Sequence, residues 1–414
     1  MKGMFRNLLL ILAIIGPGII TATVDNDAGG ITTYSVAGAE FGLDLLWTLI
    51  PITIILIIVQ EMSARMGAVT GKGLGDLIRE RFGLKLTVLV FLVLIIANLA
   101  VTISEFAGIA ASGEMFGISR YILVPLCAIL ILVLMVNFEY KHMEKVFLFL
   151  ALFYATYIIS GFMAAPDWSL VGESLITPTF SFHPLYLILL IGIIGTTITP
   201  WMQFYLQSSI VEKGIKISDY RYSKWDVIIG CIITDVVAAF IIIAVAFTLH
   251  PAGIGIEAAT DAARALEPLA GSFAKILFGF GFFTASFFGA AILPLATSFQ
   301  LCEGIGWESG INKRFREAPQ FYIIMAFLII ASAALILIPG INLIFAMLIS
   351  QVINGIVLPV ILIFMLILVN DKKIMKSYTN GRIYNIIAWG ASGIIILLSA
   401  AMAILTFFPA AQIW

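Results

Sequence analysis

Charged side chains are scarce in this sequence of 414 residues, of which only 11% are Asp, Glu, Lys or Arg while 61% are hydrophobic. A soluble domain carries about 25% charged residues, so the composition excludes a soluble protein. The net charge of −1 gives no sign of the basic surface on which nucleic-acid binding depends. We therefore expect a polytopic protein of the lipid bilayer, with no nucleic acid among its partners.

Cysteine and histidine are also rare, with three of each. The cysteines lie far apart inside apolar runs, which excludes a disulfide framework and the paired spacing of a zinc site. His142, His183 and His250 lie near the ends of apolar runs, and no nucleophile–base pair is visible around them. An enzyme is therefore not expected, and nothing in the sequence calls for a cofactor or an obligate protein partner, so a monomer would suffice.

Long apolar runs are what the sequence has in abundance, and a membrane-spanning helix needs about 20 such residues. Short turns such as the one around Pro339 and Gly340 separate neighbouring runs. The pattern predicts eleven spans, at Leu8–Ala37, Leu45–Ala64, Leu84–Ala111, Tyr121–Val136, Val146–Ala165, Pro184–Ser209, Val227–Leu249, Ile276–Leu301, Phe321–Pro339, Ile341–Val369 and Tyr384–Phe408.

Basic residues fix the orientation of these spans. With the N-terminus inside, all of the 23 Lys and Arg residues except Arg120, Arg264 and Lys275 fall on the inner side. Cytoplasmic loops carry such an excess. The pattern predicts a protein of the cell membrane with a cytoplasmic N-terminus and an extracellular C-terminus.

The first span is interrupted by polar residues, because Asp25, Asn26 and Asp27 precede the pair Gly29 and Gly30. An Asp at a helix centre costs about 2.5–3.5 kcal/mol on insertion scales, and adjacent glycines favour unwinding. We expect a broken helix whose Asp27 faces a watery cavity. Asp25 lies two residues before Asp27 and cannot share its face on an intact helix. For Asp25 we therefore favour a structural role as a hydrogen-bonding residue.

The sixth span has a matching interruption, in which Gly195, Thr196 and Thr199 precede Pro200. Proline removes a helical donor, and nearby hydroxyl groups help to satisfy a broken helix. Interruptions at corresponding positions of two repeats point to a midplane binding site in transporters built from inverted repeats. Glu105, Asp235 and Gln351 are further polar residues within spans, and each would serve the permeation path or brace neighbouring helices.

These segments resemble the Nramp family of divalent-metal transporters over almost the whole chain. The string Asp27-Ala28-Gly29-Gly30 stands where the family has Asp-Pro-Gly-Asn, and the segments Gln60–Lys72, Glu105–Gly108 and Ser350–Val352 are similar to family signatures. The resemblance implies an all-α, leucine-transporter-type fold with broken helices 1 and 6. It implies inverted five-helix repeats at residues 1–165 and 184–370, followed by an additional helix at 384–408.

The sequence departs from the family at its chemically important positions. The metal-binding Asn is replaced by Gly30, the Met ligand by Thr199, and the Asp of the third span by Thr102. The sixth-span His is replaced by Trp201 or Met202, depending on where one inserted residue is placed, and the ninth span has no arginine. These changes resemble the Nramp-related magnesium transporter branch.

The ligands that remain favour a hard cation. Mg²⁺ prefers oxygen donors and usually keeps several waters. We expect a hydrated Mg²⁺ at Asp27, Thr199 and the carbonyl of Thr196, with Gly30 leaving space for water and Gln351 joining when the site closes. Mn²⁺ would be transported as well, and a Met202 that turned inward would favour it.

Loss of the family's His, Asp and Arg residues predicts an uncoupled importer driven by the membrane potential. The alternatives are a proton-coupled Mn²⁺/Fe²⁺ importer of the ordinary Nramp type and a sodium-coupled organic solute transporter of the same fold. Asp27 would repel the carboxylate of an amino acid in the latter. A metal sensor or a channel is a third class, and the paired broken helices favour alternating access over a continuous pore.

Overall fold

Helices provide the regular structure of this chain, and no β-strand occurs in residues 16–137, 154–264 and 274–407, which the computed structural model describes. The start of the first predicted span with Lys2 and Arg6, and the first part of the fifth with His142, lie outside those residues. In chain order the helices are α1 Pro17–Thr23, α2 Ala28–Phe41, α3 Leu49–Thr70, α4 Leu74–Phe82, α5 Leu84–Met115, α6 Arg120–Asn137, α7 Ala155–Met163, α8 Trp168–Ile176, α9 Pro184–Thr197, α10 Pro200–Glu212, α11 Tyr220–Ala246, α12 Ala259–Arg264, α13 Ala274–Ile305, α14 Pro319–Ile336, α15 Leu343–Asn370, α16 Lys372–Met375 and α17 Arg382–Phe407.

Eight helical segments of the described residues are long and apolar enough to cross a membrane. A ninth, Arg120–Val136, is apolar but shorter. The first predicted span is divided into α1 and α2, and α7 is the described part of the fifth. Every predicted span therefore contains a helix, which confirms the all-helical membrane architecture, whereas the count of eleven crossing helices stays a prediction.

The broken helices lie at the centre of the bundle. α2 packs against α5, α9, α11 and α15, while α1 packs against α10 and α11. α9 and α15 lie in close contact at Gly195. A Cβ at this position would collide with the backbone of Gln351 and Gly355, so the absence of a side chain permits the contact. The two interruptions are thus packed among neighbouring helices inside the bundle.

One end of α1 is held by a carboxylate from α11. Asp226 accepts hydrogen bonds from the backbone N–H groups of Gly16 (3.1 Å), Gly18 (2.7 Å) and Ile19 (3.4 Å). The first N–H groups of a helix have no intrahelical partner, and negative charge is favourable there. Asp226 therefore fixes the short helix α1 to α11.

Replacing Asp226 with Asn should destabilise the protein by about 2 kcal/mol, because hydrogen bonds to a charged group are each worth about 1.5–3 kcal/mol. The apparent melting temperature in detergent should fall by several degrees. Asp219→Asn is the matched control, since Asp219 is the N-cap residue of α11 but its carboxylate makes no capping hydrogen bond and accepts one from Ser218 instead. Equal melting temperatures for the two variants would contradict this role of Asp226.

A polar cluster links α3 to α11 and α17. Glu61 on α3 pairs with Arg65 (3.1 Å) and accepts hydrogen bonds from the hydroxyls of Tyr384 (2.7 Å) and Tyr220. Arg65 in turn donates to the carbonyl of Tyr378 (2.8 Å). Glu61 is thus a structural partner of Arg65.

Candidate metal site

The first helix break places Asp27 at the start of a helix. Asp27 is the N-cap of α2, with extended backbone angles (φ −72°, ψ −175°), and its Oδ1 accepts a hydrogen bond from the N–H of Gly30 (2.6 Å). Asp is among the preferred N-cap residues because its oxygen satisfies an otherwise unpaired donor. The carboxylate is thereby held in place at the first break.

The second break occurs at Ile198 and Thr199, between α9 and α10. Thr199 is extended (φ −76°, ψ 143°), and Pro200 occupies the first turn of α10, where its missing N–H costs nothing. The last carbonyl groups of a helix lack intrahelical donors. The end of α9 at Thr196 and Thr197 therefore presents oxygen atoms to its surroundings.

The two breaks meet at Gly30. A Cβ built on Gly30 would lie 2.7 Å from the carbonyl oxygen of Asp25, 2.8 Å from Oγ1 of Thr196 and 3.4 Å from Oδ1 of Asp27. The side chains of Asp27 and Thr196 thus converge on one point. The space beside Gly30 that was expected to hold water is partly filled by these neighbours, so Gly30 serves chiefly to let the two breaks approach.

Gln351 joins this point from α15. Its Nε2 donates to Oδ1 (3.2 Å) and Oδ2 (3.4 Å) of Asp27. Its Oε1 accepts a hydrogen bond from Nδ2 of Asn354, at 3.1 Å. The orientation of the amide is therefore set from both ends. Gln351 therefore lies beside Asp27 with its amide nitrogen turned toward the carboxylate, and its part in holding an ion stays a prediction.

Glu105 on α5 adds a second carboxylate. Its Oε2 accepts a hydrogen bond from the N–H of Ala28 (3.3 Å), and its side chain interacts directly with that of Asp27. Its Oε1 has no hydrogen-bond partner. Glu105, which the sequence left undecided between permeation and bracing, therefore lies in the candidate site.

The site is closed to solvent and holds an unsatisfied oxygen: Asp27 is 1% exposed, Thr196 is fully buried, and the hydroxyl of Thr196 makes no hydrogen bond. At the second break, Thr199 is also 1% exposed and its hydroxyl also makes no hydrogen bond. Buried polar atoms are normally satisfied. Within the described ranges, no group of three or more His, Cys, Asp or Glu side chains could hold a metal, so an ion here would also need hydroxyl, carbonyl, amide or water ligands.

Neighbouring polar residues of the breaks have other environments. Asn26 donates from Nδ2 to the carbonyl (3.0 Å) and hydroxyl (2.7 Å) of Thr234, which ties the first break to α11. Trp201 and Met202 are fully buried in α10, where the ring of Trp201 lies 6.2 Å from that of Tyr205. Neither side chain makes a hydrogen bond with Asp27 in the described structure.

Asp25 and Asp235 form a separate acidic pair. Both are buried, and neither carboxylate has a hydrogen-bond partner. They are close enough to interact electrostatically. The hydrogen-bonding role considered for Asp25 is not seen for its side chain, whose backbone carbonyl lies beside Gly30 instead.

Solved structures share this architecture. The manganese transporter of Eremococcus coleocola, in complex with an aromatic bis-isothiourea substituted compound, superimposes with a TM-score of 0.77 at 20% identity, covering 96% of this chain and 88% of that one. Mhp1, a nucleobase-cation-symport-1 family transporter in a closed conformation, gives 0.56 at 13% identity, covering 96% and 92%. The chain therefore has the leucine-transporter-type fold, with its two broken helices around a buried carboxylate.

Sequence comparison identifies the family. Residues 18–405 match the model for "Natural resistance-associated macrophage protein-like" proteins, so the chain belongs to the Nramp family. The "divalent metal cation transporter MntH" of Caldanaerobacter subterraneus subsp. tengcongensis is 25% identical over 411 residues, covering 95% of this chain and 93% of that protein. The MntH of Granulibacter bethesdensis is 25% identical over 416 residues, covering 96% and 89%. Such relatives are transporters, in agreement with the prediction that the chain is not an enzyme.

Proposed function

We propose that this protein imports divalent metal cations, preferentially hydrated Mg²⁺ and also Mn²⁺, across the cell membrane. The observation that carries the proposal is the oxygen-rich surrounding of Asp27, where the carboxylate of Glu105 and the unsatisfied hydroxyl of Thr196 lie, with the amide of Gln351 beside them. Oxygen donors suit hard cations such as Mg²⁺ and Mn²⁺. The relatives named as divalent metal cation transporters support the same substrate class.

The closed site and the broken helices favour alternating access. Asp27 is shielded from both sides of the bundle, so an ion could enter or leave only after helices move. The N-terminus would be cytoplasmic and the C-terminus extracellular, as the basic loops indicate. A divalent cation that enters down a membrane potential of about 100 mV, negative inside, gains about 4.6 kcal/mol, twice the value for one charge, so import needs no proton coupling.

Uptake of Mg²⁺, Mn²⁺ and Ca²⁺ into proteoliposomes with an imposed potential tests the proposal. We expect uptake of Mg²⁺ and Mn²⁺ that rises with the inside-negative potential, and mutual competition between them. Internal pH should stay constant while metal enters. Manganese uptake that Mg²⁺ in large excess does not inhibit would contradict a magnesium preference.

Thr199→Met should shift selectivity from Mg²⁺ to Mn²⁺, because it replaces a hydroxyl at the second break with a thioether, and soft ligands favour transition metals. We expect the Mn²⁺-to-Mg²⁺ uptake ratio to rise about tenfold, which corresponds to about 1.4 kcal/mol. Thr248→Met is the matched control. Thr248 lies just after the end of α11, and its hydroxyl donates a hydrogen bond to the carbonyl of Ala244. An unchanged ratio would exclude Thr199 from the ion's surroundings.

A proton-coupled Mn²⁺/Fe²⁺ importer is the second candidate function. It is supported by the similarity to the Eremococcus manganese transporter and by the burial of Met202 next to the second break. Metal-driven acidification of the liposome interior that requires substrate would favour it over uncoupled import. A sodium-coupled organic solute transporter is a more distant candidate, supported by the resemblance to Mhp1; strict dependence of uptake on Na⁺ would favour it.

A further inference from the structure

A second cavity lies on the side of α11, between the start of α3 and the short helix α8. Its volume is about 380 Å³, and Leu49, Trp168 and Phe240 are among the residues that line it. Apart from Thr53 and Asp235, its walls are apolar or aromatic. Cavities of this size with few polar groups are typical of sites for small organic molecules.

Asp235 is the charged group of this cavity. The residue is 5% exposed, and neither of its carboxylate oxygens has a hydrogen-bond partner in the described structure. Thr53 lies beside it but donates its hydroxyl proton to the carbonyl of Leu49 (2.6 Å). No Lys or Arg lines the cavity. A buried charge without a partner is costly, so a cation from outside the chain would compensate it.

Aromatic rings cluster on the α8 side of the cavity. The ring centroids of Trp168 and Phe240 are 6.2 Å apart, and Phe162 lies 5.2 Å from the first and 4.8 Å from the second. Aromatic faces attract organic ammonium groups and pack against apolar bodies. They offer no ligands to a hydrated metal ion, which sets this cavity apart from the site at Asp27.

We propose that this cavity binds an amphiphilic organic cation, a primary ammonium on an aryl or alkyl body. The ammonium group pairs with the carboxylate of Asp235, and the apolar body packs against Trp168 and Phe240 on the cavity wall. Charge complementarity with Asp235 selects this occupant over a neutral lipid chain, which would leave the carboxylate unpaired.

Binding of phenylbutylamine to the purified full-length protein in a neutral detergent tests the proposal. Titration calorimetry and thermal unfolding should both detect the amine, whereas phenylbutanol, of the same shape but uncharged, should bind at least about tenfold more weakly. Asp235→Asn should weaken binding of the amine by about ten- to a hundredfold, the range for a hydrogen bond to a charged group. Equal binding of amine and alcohol would overturn the proposal.

Two variants of α8 make the test specific. A Cβ on Gly172 meets nothing within 4 Å, so Gly172→Leu can fill the cavity without a backbone clash and should also abolish binding. Glu173→Gln removes the exposed carboxylate of the residue that follows Gly172 and should leave the affinity for the amine unchanged. Wild-type affinity in Asp235→Asn, or a loss in Glu173→Gln as large as in Asp235→Asn, would overturn the assignment. These readouts need no transport, so they remain decisive whatever ion the protein carries.

Discussion

Replacing Asp27 with Ala is expected to lower metal uptake by about 100-fold or more at sub-saturating concentrations. Loss of groups that merely orient a metal ligand costs about 10–100-fold, and Asp27 is assigned as a ligand itself. Its carboxylate also anchors Gln351 and the start of α2. Initial rates of Mg²⁺ and Mn²⁺ uptake into proteoliposomes measure the effect.

Asp27→Asn separates the charge of this residue from its role as a helix cap. Asn is as good an N-cap as Asp, so this variant should melt close to the wild type and still lose uptake. Asp44→Ala, which removes an exposed carboxylate between α2 and α3, should transport normally. Uptake in Asp27→Asn above half of the wild-type rate would place the metal site elsewhere.

Charge balance supports a divalent occupant. Asp27 and Glu105 interact directly inside the bundle, and no Lys or Arg forms an ion pair with either in the described parts of the chain. Two ionised carboxylates would repel each other there, and an ion with two positive charges neutralises both. Monovalent cations would leave one negative charge buried.

The membrane helices and the positions of both breaks could be predicted from local sequence, whereas the leucine-transporter-type fold followed from the family resemblance. Apolar runs of membrane length fix the helices, and polar or helix-breaking residues such as Gly29, Gly30 and Pro200 have local effects that depend little on distant partners. The position of Asp27 before paired glycines therefore indicated an interruption, and the structure has one between Thr23 and Ala28.

The partners of the buried polar residues could not be predicted in the same way. The hydrogen bond from Ala28 to Glu105 joins residues 77 positions apart, and the bond from Gly18 to Asp226 joins residues 208 apart. Such pairs depend on helix packing, which the periodicity of a fully apolar helix does not specify. The hydroxyl contact between Tyr34 and Thr197 (2.8 Å), which links the two broken helices, left no signal in the sequence.

Gly30→Ala is expected to destabilise the protein by about 1–3 kcal/mol and to abolish uptake, the reverse of the usual effect of this substitution in a helix. Alanine is favoured over glycine by about 1 kcal/mol in helix interiors. Here the new Cβ would lie 2.7 Å from the carbonyl of Asp25 and 2.8 Å from Oγ1 of Thr196. The hydroxyl could rotate away, but the carbonyl belongs to the backbone, so the first break must open and overpacking costs of this size follow.

Opening the first break would also move Asp27, since the N–H of residue 30 holds its Oδ1 at 2.6 Å. Uptake should therefore fall with stability in Gly30→Ala. Gly393→Ala on α17 provides the matched control, because a Cβ there meets nothing within 4 Å, and this variant should be at least as stable as the wild type. Apparent melting temperatures and uptake rates of the three proteins decide the matter. If Gly30→Ala behaved like Gly393→Ala, the two breaks would have to be farther apart in the working protein than they are in this closed arrangement.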